Sequence, residues 1–150
     1  MPVISGTATG EVDAPLERCW ALLEDVASAS EWQSGLERMD VVERDQEGRA
    51  VVCETLSDVK LRKVRSRVRF SYDEPTRLSW QQIEEGDLQS MEGYWQLEPL
   101  GDGRTRVTYG LSVDPGSVPR LARMPIERAA RAILLNPRPK ELARRVESNM

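Results

Sequence analysis

From Lys63 to Tyr72 the chain alternates strictly. Val64, Ser66, Val68, Phe70 and Tyr72 fall on one face of an extended segment, and Lys63, Arg65, Arg67 and Arg69 on the other. Period-two patterning of this kind predicts strands over Val3–Val12, Leu36–Glu43, Ala50–Leu56, Val59–Tyr72, Arg77–Glu84, Leu88–Leu97 and Arg104–Val113. Turn chemistry separates the later ones, at Asp45-Gln46-Glu47-Gly48, Glu74-Pro75, Gly86-Asp87 and Gly101-Asp102-Gly103. After the first strand the period changes. Leu16, Cys19, Trp20 and Leu23 recur at helical spacing behind Asp13-Ala14-Pro15, with Asp13 as the expected cap and Pro15 in the first turn. A second short helix is expected over Val26–Glu31, capped by Asp25.

The last apolar pattern runs from Val118 to Val146. Ala122, Ile126, Ala129, Ala130 and Ile133 share one helical face, while Arg123, Glu127 and Arg131 fall elsewhere. Such a stripe needs a sheet to cover it. Pro125 interrupts the first third, and Asn136-Pro137-Arg138-Pro139 the second half. Pro139 removes an amide donor and disfavours helical geometry at Arg138. A break is therefore expected near residues 136–139, with Lys140–Glu147 forming a separate turn or short helix.

The order is strand, two helices, six antiparallel strands, helix, which 150 residues accommodate as one domain, residues 1–150. No run approaches the roughly 20 apolar residues of a membrane span. The N-terminus has no basic segment followed by an apolar one, so the expected location is cytoplasmic. The chain has no histidine. That excludes Ser-His and Cys-His nucleophiles and nearly every zinc or non-haem iron site, so neither metal nor cofactor is expected. Cys19 and Cys53 read as reduced, small core residues.

Net charge is −4 overall, but residues 116–150 carry eight Lys/Arg against three Asp/Glu. This basic region permits contact with an anionic membrane or an acidic protein partner, or is a solvated helix face. The row Lys63, Arg65, Arg67 and Arg69 lacks interleaved aromatic rings on its surface. It therefore reads as a solvated outer face rather than a nucleic-acid site.

Three stretches carry a family resemblance. Ala14-Pro15-Leu16-Glu17-Arg18-Cys19-Trp20-Ala21-Leu22-Leu23-Glu24-Asp25, followed by Trp32, resembles the opening of the START-like SRPBCC superfamily, nearest to its bacterial polyketide cyclase/dehydrase-like branch. Tyr72-Asp73-Glu74-Pro75-Thr76-Arg77-Leu78-Ser79-Trp80 is similar to that branch's mid-chain strand pair. Gly93-Tyr94-Trp95-Gln96-Leu97-Glu98-Pro99, with Gly101-Asp102-Gly103-Arg104-Thr105-Arg106-Val107, is similar to its final hairpin. The resemblance implies an α+β helix-grip fold: a curved seven-stranded antiparallel sheet around a long C-terminal helix, with a hydrophobic cavity between. It also implies binding or carriage of a lipid-, quinone- or polyketide-like molecule, or aromatase/cyclase or dehydratase chemistry. The prolines of the last helix depart from the pattern.

The inward faces supply Phe70, Tyr72, Trp80, Met91, Trp95 and Tyr109, and the facing helix Leu121, Met124, Ala122, Ala129 and Ala130. Large rings opposite alanines either leave a void for an apolar ligand or let the helix pack close. Gln82 and Glu84 continue the Leu78/Trp80 face, and Arg62 the Val64/Phe70 face. Glu54 sits on a strand whose two faces the pattern does not distinguish. A carboxylate inside an apolar cavity would have a raised pKa and serve as acid or base, which makes Glu84 and Glu54 the candidate catalytic groups. The alternative is that these polar residues sit at strand ends, in solvent. Expected ligand contacts are Phe70, Tyr72, Trp80, Gln82, Met91, Trp95, Tyr109, Leu121, Met124 and Ala129.

Overall fold

The computed structural model describes residues 4–60, 62–116 and 120–148. Seven antiparallel strands form one open sheet: β1 (Ile4–Val12), β2 (Leu36–Arg44), β3 (Ala50–Asp58), β4 (Lys63–Asp73), β5 (Arg77–Gln82), β6 (Ser90–Pro99) and β7 (Thr105–Asp114). Their order is β1-β7-β6-β5-β4-β3-β2, so six strands meander and the first closes against the last. Between β1 and β2 lie α1 (Leu16–Glu24), a 3₁₀ turn (Val26–Ser28) and α2 (Ala29–Trp32). After β7 come α3 (Arg120–Ala130), a π-helical stretch (Arg131–Leu135) and α4 (Arg138–Ser148). This is the helix-grip arrangement.

Neither Asp13 nor Asp25 caps a helix with its side chain; Pro15 precedes α1, and the Asp13 amide donates to Glu147 Oε2 at 3.0 Å. Val59 and Lys60 do not extend β4. The Val59 amide bonds Arg62 O, and Lys60 takes a positive φ of 71° in the turn. β5 stops at Gln82, two residues short of Glu84.

The core divides into two zones. At one end α1 and α4 pack on the sheet, burying Val12, Cys19, Trp20, Leu97, Val107, Leu142 and Val146. α4 rests on β1 because Gly10 has no side chain there. A Cβ at Gly10 would come within 2.9 Å of the Pro139 ring. Both cysteines are free and buried. At the other end, under α2 and α3, the inner face stays partly uncovered.

The expected break in the last helix is present, but it begins earlier. The Asn136 amide reaches back five residues to Arg131 O at 2.8 Å, and α4 starts at Arg138 with Pro139 in its first turn. The cause is Pro137, which has no amide to give Ile133 O. That carbonyl instead accepts from Ser34 Oγ (3.1 Å) and Arg138 Nη1 (3.3 Å). α3 runs through Pro125, whose absent donor leaves only Leu121 O in the exposed first turns.

Gly93 on β6 faces Trp80 across the β5–β6 pair, and the indole occupies the space a side chain there would take. Gly93→Ala would press a methyl group into that ring and within 2.9 Å of Gly110 O. The variant should lose about 1–3 kcal/mol in chemical denaturation, with altered tryptophan fluorescence.

Candidate functional site

The uncovered zone is a cavity of about 140 Å³. Its floor is the concave face of the sheet: Val64, Val68 and Phe70 from β4, Leu78 and Trp80 from β5, Met91 and Trp95 from β6, and Tyr109, Leu111 and Val113 from β7. Leu22, Leu23, Val26, Ala29 and Trp32 form one wall; Ile126, Ala130, Leu134 and Arg138 form the other. The exposed Asp25 marks the rim. The rings are in mutual contact rather than stacked. Trp95 meets Tyr109 at 4.7 Å between centroids, Trp80 meets Tyr109 at 5.7 Å, Phe70 meets Trp80 at 5.8 Å, and Trp32 meets Trp95 at 6.0 Å.

Five expected contacts, Phe70, Trp80, Met91, Trp95 and Tyr109, line this space. Tyr72 shares their face but lies in the packed zone. Its hydroxyl donates to Ala50 O at 2.6 Å and its ring meets Trp20 edge-on. Gln82 is occupied within the sheet, accepting from Ser66 Oγ (2.7 Å) and donating to Leu88 O (3.0 Å). Leu121 and Met124 point outward, 94% and 66% exposed, and Ala129 lies off the cavity wall. The wall is instead the row Ile126, Ala130, Leu134, Arg138. In a regular α-helix an i, i+4 row drifts around the axis; the wider π turn reduces that drift and keeps Leu134 and Arg138 under Ala130. No signal short of the hydrogen-bond register distinguishes Leu134 from Ile133.

The candidate acids are elsewhere. β3 presents Cys53, Thr55 and Ser57 inward, which turns Glu54 outward opposite Arg67. Glu84 lies in the exposed loop after β5. Both border a charged surface groove with Arg38, Asp40, Arg65, Arg67 and Asp87. The basic row of β4 is thus met by acidic neighbours, Lys63 by Glu37 at 3.1 Å among them. Among the described residues no group of Cys, Asp and Glu is placed to hold a metal ion. None of their helices is long and apolar enough to cross a membrane.

Two arginines reach the cavity. Arg62 donates to Asp87 O at 3.4 Å. Arg138, which pattern reading treated only as a helix-breaking position, is 2% exposed. Its Nη1 donates to Ser34 O (2.8 Å), Ile133 O and Glu141 Oε1 (2.8 Å), and its guanidinium carbon lies 5.9 Å from the Tyr109 ring centroid. Burial pushes the Tyr109 phenol up, against the opposing pull of Arg138.

The fold and the apolar cavity define a START-like helix-grip protein. The family model for "Polyketide cyclase / dehydrase and lipid transport" matches residues 3–147, and the chain belongs to that family. Solved structures agree on the fold. A protein from Thermus thermophilus superposes with TM-score 0.81 at 23% identity, covering 99% of each chain. A START superfamily protein from Mycobacterium smegmatis gives 0.79 at 18% identity, covering 97% of this chain and 99% of that one. The Zhui aromatase/cyclase from Streptomyces gives 0.79 at 17% identity, covering 99% and 96%. Comparison with curated proteins finds no match.

Burial also governs the titration of the packed zone. It pushes the Cys53 thiol up to about 11, and raises Tyr72, which lies beside it. Both groups fold in their protonated forms, so their contribution is complete below the ordinary thiol pKa and is lost as pH rises through the folded value. The contribution of these two groups should be constant up to about pH 9, and unfolding free energy should fall as pH rises from there through about 11. Cys53→Ala should flatten that slope in denaturation measured across the same range.

Proposed function

We propose that the protein binds a hydrophobic small molecule between the sheet and α3. The supporting observation is the cavity itself: rings and aliphatic side chains face a space that the helices do not fill, on a chain otherwise packed. A cavity near 150 Å³ suits an apolar group of about benzene size. A larger lipid-, quinone- or polyketide-like ligand would place one such group inside and the remainder at the rim. The family's description and the aromatase/cyclase among the structural neighbours support the same substrate range.

Binding is favoured over acid–base turnover for a specific reason. General acid–base chemistry needs a carboxylate within hydrogen-bond reach of the substrate. Glu54 and Glu84 face solvent, and the acidic residue that lines the cavity, Asp25, stands exposed at its rim.

A neutral fluorescent probe, N-phenyl-1-naphthylamine, should bind saturably and quench the emission of Trp32, Trp80 and Trp95. Ala130→Trp would fill the space beneath α3 and should weaken the probe at least about tenfold without changing the circular dichroism. Absence of saturable binding, or unchanged affinity in the filled variant, would overturn the proposal.

A further inference from the structure

One end of the cavity is chemically unlike the rest. Trp32, Trp95, Tyr109 and Arg138 form a continuous run of contacts there. The same corner is clasped to the last helix, since Arg138 Nη1 holds Ser34 O and Glu141 Oε2 accepts from the Ser34 amide at 3.0 Å. Within it two buried donors have no acceptor among the described residues: Arg138 Nε and Trp32 Nε1. The hydrogen bonds of Arg138 to Ser34 O, Ile133 O and Glu141 Oε1 leave from Nη1, and the guanidinium also lies beside the Tyr109 hydroxyl. Nε, one of the side-on N–H groups with which an arginine grips oxygen, is left without a protein acceptor. A buried donor without an acceptor is costly, and both of these belong to cavity-lining residues.

The charge of this end selects among acceptors. Arg138 is already paired with Glu141 at 2.8 Å, with side chains 3% and 13% exposed. A carboxylate placed against this pair would therefore meet a guanidinium already neutralised by Glu141, while the cavity's other arginine, Arg62, is turned to Asp87 O. A neutral acceptor oxygen brings no charge to compensate.

We propose that this end of the cavity recognises a neutral carbonyl oxygen, taken by Arg138 Nε and Trp32 Nε1, on an otherwise apolar ligand. The inference rests on the binding reading above and narrows it to one functional group. Arg138 and Trp32 set specificity; the remaining lining residues supply apolar contact. Sequence pattern conceals the feature, because Arg138 lies between two prolines in a stretch that reads only as a helix breaker.

The test compares acetophenone with α-methylstyrene, which has the same shape with a methylene in place of the oxygen, and with benzoate. Affinities are measured by displacement of N-phenyl-1-naphthylamine. In the native protein acetophenone should outcompete benzoate. In Trp32→Phe and Arg138→Lys the ratio of acetophenone to α-methylstyrene affinity should fall about tenfold, with α-methylstyrene itself little changed. The ¹⁵Nε–¹H resonance of Arg138 should shift with acetophenone and not with α-methylstyrene. This readout on the unmodified protein decides the matter if Arg138→Lys does not fold. Unaltered ratios in the folded variants, a silent Nε resonance, or tighter binding of benzoate would overturn the carbonyl assignment while leaving cavity binding intact. Failure of all three compounds and the displacement probe to bind would overturn both.

Discussion

A buried guanidinium holds the C-terminal segment to the open end of the sheet. Pro137 withdraws the amide that would have satisfied Ile133 O, and α4 restarts at Arg138 with Pro139 in its first turn. Arg138, between them, supplies the missing hydrogen bond and simultaneously ties Ser34 O and Glu141. Removing an arginine from water is expensive, and three acceptors on one nitrogen are what make the position tenable. The proline pair and the arginine thus form one device. Without the prolines there would be no free carbonyl, and without the arginine a buried carbonyl would rely on Ser34 alone.

The same device sets the geometry of the cavity. The π stretch lets Leu134 and Arg138 continue the row begun by Ile126 and Ala130, so that one wall changes from aliphatic to cationic within three helical turns. Opposite, the sheet contributes rings that touch at 4.7 to 6.0 Å without filling the space. Gly93 is part of this arrangement, since its missing side chain leaves room for the Trp80 indole.

Strand alternation made most of the sheet legible. Lys63 through Tyr72 assigned its own faces, and the inward residues of β4 to β7 followed from the same period. What remained hidden depended on tertiary hydrogen bonding. Glu84 extended an apolar alternation on paper, yet the ladder of β5 ends at Gln82, leaving it in solvent. Glu54 sat on a strand where both faces carry apolar residues, so only the pairing of Cys53 with Val68 could orient it. Leu121 and Met124 looked like wall residues because hydrophobicity alone does not show which turn of a helix has sheet beneath it. The pattern around Arg138 speaks for its backbone and not for its side chain. A charge between two prolines gives no periodic signal, and its role exists only once β2 and α4 meet.

The unequal burial of the two halves of the last helix has a thermodynamic consequence. α4 buries Arg138, Pro139, Leu142 and Val146, whereas no described side chain of α3 is fully buried. Resistance to local opening follows buried contact, so the two halves belong to different tiers of stability although the chain connects them directly. A molecule seated beneath Ala130 would lend α3 the apolar contact it lacks. Its measured affinity would then include the free energy of ordering that segment, and bound and empty protein would differ most in the hydrogen-exchange protection of α3.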